Sequence, residues 1–273
     1  MEENRINKSE EKIHKLIVQI VFLLAVAVIW EITARAHLFG SRSELVFPTL
    51  EAIAKAFVDN FTNGYAGVPF WMYILNSMKL LVIGLLLGIA LSFLFTGLAM
   101  LFKTFYYIYN LVVSVFDLLP GVALLPVVII IFGINPAVIV FLVVHAVIWP
   151  MSRNILDGFG AVPRIYIEAG KNIGVRGVRL LTGIDIPATT SYIISGIKVS
   201  WARAWRGLLS AEMIFGIASC PGIGLYINQM RTNLKNAEMY ATLIVIILIG
   251  VIVQYGVLEP IEKNTIKRWG MTK

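Results

Sequence analysis

Long apolar segments alternate with short polar ones along the whole chain, and their lengths predict helices that cross a membrane. The first segment, residues 16–34, would form a helix of about 28 Å, which is long enough to span a bilayer. Residues 1–15 and 263–273 are polar tails, so the predicted transmembrane domain covers residues 16–262. Within it we predict six spans, at residues 16–34, 77–102, 104–132, 137–152, 188–217 and 241–258.

The composition excludes an ordinary soluble domain. Hydrophobic residues make up 58% of the 273 residues, and charged residues make up 14%, against roughly 25% in soluble domains. A soluble fold of this length cannot bury so much apolar surface. The net charge of +7 lies in short clusters without a basic stripe of interleaved aromatic residues, which argues against nucleic-acid binding. We therefore predict an all-α integral membrane protein that contacts lipid.

The first span has a competing interpretation as a cleaved signal. The residues Ala34-Arg35-Ala36 at its end resemble a signal-peptidase site. However, Trp30 and Glu31 stand where such a site has small residues, and the polar head before the span is long. These features favour a retained span.

An amphipathic helix is predicted between the first two spans. Thr49 follows Pro48 and can cap it, and the polar residues Glu51 and Lys55 lie opposite an apolar face. Such a helix typically lies at the membrane surface. The predicted apolar face consists of Leu50, Ile53, Ala54, Phe57, Val58 and Phe61.

The third span is interrupted. Residues 104–132 are too many for one relaxed span, and Pro120, Gly121 and Pro126 lie within them. Because proline removes a helical hydrogen bond and glycine loosens the backbone, we predict a discontinuous helix. Irregular backbone at membrane depth typically lines a cavity.

Basic residues indicate the orientation. They concentrate before the first span, after the fourth and after the sixth, and six spans place all three segments on one side. The positive-inside rule assigns that side to the cytoplasm, which makes both chain ends cytoplasmic in a bacterial cell membrane. The residues are Arg5, Lys8, Lys12 and Lys15, then Arg153, Arg164, Lys171, Arg176 and Arg179, then Lys263, Lys267 and Arg268.

The sequence contains no pattern typical of a catalytic or metal site. Cys220 is the only cysteine, and the three histidines, His14, His37 and His145, lie in different segments. Residues 97–104 end like a phosphate-binding loop but lack its second glycine and lie at the end of a membrane helix. We therefore predict that the chain is not an enzyme, and that any energy source belongs to another subunit.

The polar segment 153–187 carries the most specific motif. Its residues 168–187 read EAGKNIGVRGVRLLTGIDIP, with a short helix predicted after Pro163 and a turn at Gly174. This spacing resembles the EAA motif of binding-protein-dependent ABC importer permeases. Glu168 and Ala169 match the motif, as do Gly174, Ile184 and Pro187, while Gly170 replaces the second alanine and Ile186 replaces a leucine.

The resemblance implies the all-helical fold of a type I ABC importer permease, in which this segment is a coupling helix that docks on an ATPase. By resemblance, Glu168 and Ala169 belong to the docking surface, and Gly174 supplies the bend. Gly170 stands where the family prefers a helix former, at a cost of about 1 kcal/mol. Further motifs resemble the taurine, sulfonate, nitrate and bicarbonate class: Phe47-Pro48, Pro120 to Pro126, Ala211-Glu212-Met213 and Gly222 to Leu225.

That class implies several partners. They are a second copy of the chain, two ATPases that bind ATP and Mg, and an extracytoplasmic substrate-binding protein, with no cofactor on this chain. The substrate would be a small anion or polar nutrient, such as a sulfonate like taurine, nitrate or bicarbonate, with a pyrimidine vitamin precursor as the alternative. An ATP-independent secondary transporter or channel is the alternative, and the coupling-helix spacing argues against it.

Span five is unusually charged for a membrane helix. It carries Lys198, Arg203, Arg206 and Glu212 on one half of its surface, and such residues typically face the bundle interior or an aqueous path. One interpretation is structural, with Asp117 pairing with Arg203 or Arg206. The other is an anion path lined by Asp117, Pro120, Gly121, Lys198, Arg203, Arg206 and Glu212. The resembling permeases more often have a basic residue in place of Asp117, and small or apolar residues in place of Arg203 and Arg206.

Overall fold

The computed structural model describes residues 2–36, 40 and 43–268, with side chains for 11, 13–36, 40, 43 and 45–265. His37 therefore lies outside the described residues, as do the side chains of Arg5, Lys8, Lys12, Lys267 and Arg268. The described part is helical and forms no strand. Its α-helices are α1 Glu2–Arg35, α2 Ser43–Val46, α3 Leu50–Asn63, α4 Phe70–Leu101, α5 Lys103–Phe116, α6 Leu125–Phe132, α7 Pro136–Ala161, α8 Arg164–Asn172, α9 Val178–Leu180, α10 Ile186–Ala188, α11 Thr190–Ile214, α12 Ile223–Thr232, α13 Asn236–Val251 and α14 Glu259–Arg268.

Five of the six predicted spans have helices long and apolar enough to cross a membrane. Four are single helices, and the fifth is the pair Lys103–Phe116 and Gly121–Phe132, which is bent by 94°. The predicted break in the third span is thereby confirmed. Helix α11 has 25 residues, about 37 Å, which is long enough to cross a membrane, but its four charged residues make it less apolar than the other candidate spans. The single helices are Ile13–Arg35, Phe70–Leu101, Pro136–Ala161 and Asn236–Thr265.

Several helices extend beyond the predicted spans, because a helix can continue past its apolar segment. Span two begins at Phe70 rather than 77, and span four continues to Ala161 rather than 152. Arg153 therefore lies within α7, where its guanidinium donates to Ser114 Oγ at 2.8 Å. Helix α11 covers less than the predicted 188–217, and the sixth span begins at Asn236 and continues through a π-helix at Ile252–Leu258 into α14.

The chain forms two compact units, and the smaller consists of residues up to 69 with 229–243. Thr49 caps α3 as predicted, because its Oγ1 accepts a hydrogen bond from Ala52 N at 3.2 Å. The buried face of α3 differs from the predicted one and consists of Ile53, Ala56 and Asn60. Asn60 belongs to this buried face because its side-chain amide donates to Glu238 O at 3.2 Å, whereas Leu50, Val58 and Phe61 of the predicted membrane-surface face are exposed.

The larger unit consists of residues 70–228 with those from 244 onward. A stripe of small residues on α4 lets α7 approach closely: a Cβ at Gly84 would lie 2.5 Å from Val143 Cγ1, and one at Gly88 would lie 2.7 Å from Val147 Cβ. Small residues at four-residue spacing are typical of packed membrane helices. Helix α11 packs on the opposite part of α7, where Gly196 faces Asn154. These contacts fix the helices that carry the charged residues.

Candidate functional sites

A cavity of about 310 Å³ lies within the larger unit, next to the break in the third span. Five of the residues predicted for the path line this cavity, and they come from the break and from α11. Helix α7 supplies a third wall. The predicted residues are Asp117, Pro120, Gly121, Arg203 and Arg206, and the other polar side chains of the lining are His145, Trp149 and Ser210.

The break itself positions Asp117. Helix α5 ends at Phe116, Pro120 is extended with ψ of 122°, and a short 3₁₀ turn follows at Gly121–Leu124. Gly121 permits a close approach to α7, because a Cβ there would lie 3.2 Å from Nδ1 of His145. The chain therefore presents Asp117 and the turn to the cavity.

Asp117 and Arg203 form an ion pair across the cavity wall. Their side chains are 20% and 41% exposed, so the pair is partly accessible to solvent. The prediction that Asp117 pairs with Arg203 or Arg206 is confirmed for Arg203. This arrangement leaves the pair without net charge.

Arg206 differs from Arg203 in having no carboxylate partner in the part of the chain that the structure describes. Its Nε donates to the Ala202 carbonyl oxygen at 3.0 Å, and the residue is exposed. A guanidinium on a membrane helix is too costly to leave in lipid, so an exposed one faces water or a polar partner. Within the described part of the chain, Arg206 therefore adds to the cavity a positive charge that no carboxylate compensates.

Lys198 and Glu212, which were also predicted for the path, lie outside the cavity lining. Lys198 binds Glu262 at 2.7 Å near the start of α14. Glu212 is 3% exposed and accepts hydrogen bonds from Ser77 Oγ and Gly224 N. The charged residues of α11 therefore form two sets. Arg203 and Arg206 line the cavity, whereas Lys198 and Glu212 connect α11 to other helices.

Trp149 is a cavity residue that sequence reasoning did not single out. Leu142, His145 and Trp149 recur at helical spacing on α7 and all line the cavity. The Nε2 of His145 and the Nε1 of Trp149 are buried without a hydrogen-bond partner among the described atoms. Trp149 lies four residues after His145, one helical turn away, and this spacing is the signal that would have placed both residues on the cavity face of α7.

The second site is the polar segment that carries the EAA-like motif. Helix α8 begins after Pro163 as predicted and ends at Asn172. Gly174 has a φ of +86°, and its N–H donates to Lys171 O while Val175 N–H donates to Gly170 O. This is the Schellman arrangement that ends a helix at a glycine. The predicted turn at Gly174 is confirmed.

Gly170 has a packing role that the sequence did not reveal. It is the only buried residue of α8, and a Cβ there would lie 2.3 Å from Ile184 Cδ1. The glycine therefore lets α8 fold back against the π-helix Leu181–Asp185 that leads toward α11. Its lower helix propensity is offset by this close approach.

The surface of this segment is apolar and open. Ile165, Tyr166 and Ile173 are 69%, 57% and 80% exposed, although they are large hydrophobic residues. A groove of about 610 Å³ lies beside them. Of the predicted coupling residues, Ala169, Gly170, Ile184 and Pro187 line the groove, whereas Glu168 is exposed outside it and Gly174 forms the turn.

Asp185 lies beneath the same segment and is 5% exposed. Its Oδ1 has no hydrogen-bond partner in the described structure. Burial raises the pKa of this carboxyl above its ordinary value, and the positive charge of Lys171 partly opposes the shift. The segment that carries the EAA-like motif thus contains a buried carboxyl group for which ionisation is unfavourable.

Among the described residues, no group of three or more histidine, cysteine, aspartate or glutamate side chains could hold a metal ion. The two sites are a charged cavity within the helices and an apolar surface on a polar segment.

Comparisons with known proteins find several permeases that are similar to this chain. A putative ABC transporter permease protein of Methanocaldococcus jannaschii is 24% identical over 89% of this chain and 88% of its own length. The taurine transport system permease protein of Escherichia coli is 22% identical over 77% of this chain and 75% of its own. A nitrate import permease protein of Leptolyngbya laminosa is 26% identical over 67% of this chain and 64% of its own length.

The family model that describes the inner membrane component of binding-protein-dependent transport systems matches residues 81–263. This range contains both the broken span and the coupling segment. Four single helices are long and apolar enough to cross a membrane, and the bent pair can form a fifth span. The described helices therefore fit a multi-pass membrane protein. The chain is an ABC transporter permease and belongs to this family of inner membrane transport components.

Proposed function

We propose that this chain is the membrane-spanning subunit of an ATP-driven importer that brings a small anionic nutrient into the cell. The observation that carries the proposal is the exposed apolar surface of α8 and the residue that follows it, formed by Ile165, Tyr166 and Ile173. A patch of large hydrophobic side chains on a segment outside the membrane is typical of a protein–protein contact. The partner that fits this surface is an ATPase subunit.

The fold offers a route from that surface to the cavity. Movement of α8 would displace Ile184, because Gly170 packs directly against it. Ile184 lies in the short π-helix that leads through α10 into α11, and α11 carries Arg203 and Arg206. The permease is then a two-state element whose equilibrium is shifted by nucleotide on one side and by a loaded binding protein on the other.

The chain would contribute no catalysis of its own. ATP and Mg would bind to two ATPase subunits, and the permease would act as a pair of identical copies with both chain ends in the cytoplasm of a bacterial cell. An external binding protein would deliver the solute. The names of the taurine and nitrate relatives support a sulfonate such as taurine, nitrate or bicarbonate as the substrate.

The test is association with an ATPase. The tagged permease is purified from its native membranes, and the co-purifying ATPase is measured by its nucleotide-hydrolysis activity. Gly174→Val should abolish association, because valine is strained at a φ of +86°, and Glu168→Trp should weaken it by placing a bulky side chain on the docking surface. Gly160→Ala is the matched control, since a Cβ at Gly160 meets open space.

The outcomes separate the importer from the alternative. Loss of the ATPase in both variants, with the control unaffected, supports the proposal. Normal association of both variants would contradict the coupling role of the segment. A wild-type permease that transports its solute without any ATPase would instead identify an ATP-independent transporter.

A further inference from the structure

The charges in the cavity are not equivalent. Asp117 and Arg203 satisfy each other in an ion pair, whereas Arg206 has no carboxylate partner in the described structure. With histidine counted as neutral, the lining therefore has a formal balance of one positive charge. That balance depends on Asp117, because without it both arginines would be uncompensated.

Arg206 is arranged to bind a ligand. Its Nε donates to the Ala202 carbonyl at 3.0 Å, which fixes the side chain and leaves the two terminal amino groups available. A guanidinium presents its donors in a planar fork that matches the oxygens of an oxyanion, and such charge-assisted pairs are strong. Ser210, also in the lining and exposed, adds a hydroxyl one helical turn away.

The size of the cavity limits the ligand. About 310 Å³ lies at the small end of the range of roughly 300–1,000 Å³ for ligand pockets, which suits a solute of few heavy atoms. Much of the remaining lining is apolar, including Phe116, Leu118 and Leu142. In such surroundings, a ligand charge that the site does not compensate is costly.

We infer that this cavity is a binding site for monovalent oxyanions, in which Arg206 is the direct ligand and Asp117 sets the charge. By neutralising Arg203, Asp117 leaves a single positive charge to be matched. A dianion would leave one negative charge uncompensated. The inference rests on the proposed function and adds a selectivity to it: the permease itself prefers monovalent to divalent oxyanions.

The experiment measures anion binding by the full-length permease alone, in lipid nanodiscs at fixed ionic strength, by titration calorimetry. The probes are nitrate, methanesulfonate and sulfate. The wild type should bind the two monovalent anions at least about tenfold more tightly than sulfate, because of the uncompensated charge. Arg206→Gln should abolish binding, and Arg206→Lys should retain it at lower affinity, because the ammonium keeps the charge and loses the fork.

The decisive variants change the charge of the cavity. Asp117→Asn should shift the preference toward sulfate by about tenfold or more, because it releases Arg203. Ser210→Lys should produce the same shift with the ion pair intact, and it keeps the test available if Asp117→Asn does not fold. Lys198→Gln removes a cation of the same helix that pairs with Glu262 outside the cavity, so it should not change anion preference.

Equal changes in nitrate and sulfate affinity in both Asp117→Asn and Ser210→Lys would overturn the inference, as would unaltered binding in Arg206→Gln. Binding by the isolated permease needs no ATPase, so the two proposals fail separately. If the variants change anion preference as expected but no ATPase associates, the anion site is supported and the importer function is contradicted. If ATP-dependent uptake occurs while the variants keep the wild-type anion preference, the importer function is supported and the anion site is contradicted.

Discussion

The carboxyl group of Glu212 in α11 accepts a hydrogen bond from the hydroxyl of Ser77 in α4, whose Oγ lies 2.8 Å from each carboxyl oxygen. Glu212 also accepts from Gly224 N at 2.9 Å, and Ser77 Oγ accepts from Ile223 N at 2.8 Å. Ser77 is fully buried, and Glu212 is 3% exposed. These bonds join α4 and α11 to the beginning of α12, which makes Glu212 a structural anchor.

Ser77→Ala is expected to destabilise the permease by about 1–3 kcal/mol, because it leaves the buried carboxyl oxygens and Ile223 N without their shared partner. The measurement is the unfolding midpoint of the purified protein in detergent. Ser195→Ala, which removes an exposed hydroxyl of α11, should change the midpoint little. Equal midpoints for the two variants would show that the Glu212 contacts do not hold these helices together.

The same anchor makes Gly222 sensitive to substitution. A Cβ at this position would lie 2.1 Å from Glu212 Oε1, and the buried carboxyl is held by its hydrogen bonds. Gly222→Ala should therefore cost about 1–3 kcal/mol, as overpacking typically does. Gly160→Ala, at an exposed helical glycine with open space around it, should instead raise stability by up to about 1 kcal/mol. If Gly222→Ala raises stability as Gly160→Ala is expected to do, the packing around Glu212 is looser than the distances indicate.

Features that depend on local chemistry were predictable from the sequence. Proline and glycine at Pro120 and Gly121 act on their own backbone, so the break in the third span follows from residue type alone. The helix after Pro163 and the turn at Gly174 are local in the same sense. These elements needed no knowledge of which helices pack together.

Partners distant in sequence were harder to predict. The helical angle of Glu212 is close to that of Lys198, which predicts that both side chains line the anion path. The hydrogen-bond partner of Glu212 is instead Ser77, which lies 135 positions away in the sequence. A helical wheel gives the direction of a side chain but not the helix that faces it. Pairing of Asp117 with Arg203 or Arg206 was predictable because the membrane interior contains few charges, but the sequence did not distinguish between the two arginines.

The stability of the coupling segment should depend on pH through Asp185. Because burial raises the pKa of this carboxyl above its ordinary 3.8, the folded state favours the protonated form. Stability from this group is present at low pH and is lost as the pH rises through the raised pKa. Asp185→Asn should therefore raise the unfolding midpoint at neutral pH, with a gain that shrinks toward pH 4.

Paired thermal melts at several pH values measure this effect. Glu168→Gln removes an exposed carboxyl of the same segment and controls for the loss of one charge. A gain for Asp185→Asn that is the same at every pH would contradict the role of ionisation. A loss at neutral pH would mean that the charged carboxylate has a stabilising partner when the segment is assembled.

Restoring the family's alanine at position 170 should damage this permease. Although Gly170→Ala improves helix propensity by about 1 kcal/mol, the added Cβ would lie 2.3 Å from Ile184 Cδ1, and overpacking typically costs about 1–3 kcal/mol. The single variant should therefore lower the unfolding midpoint and weaken ATPase association. Ile184→Val removes Cδ1, the nearer of two contacts, while Leu180 Cδ1 would remain 3.0 Å from the added Cβ, so the double variant should recover most of both properties. If Gly170→Ala alone matches the double variant, Ile184 moves aside freely, and the contact between α8 and the segment before α11 does not transmit movement.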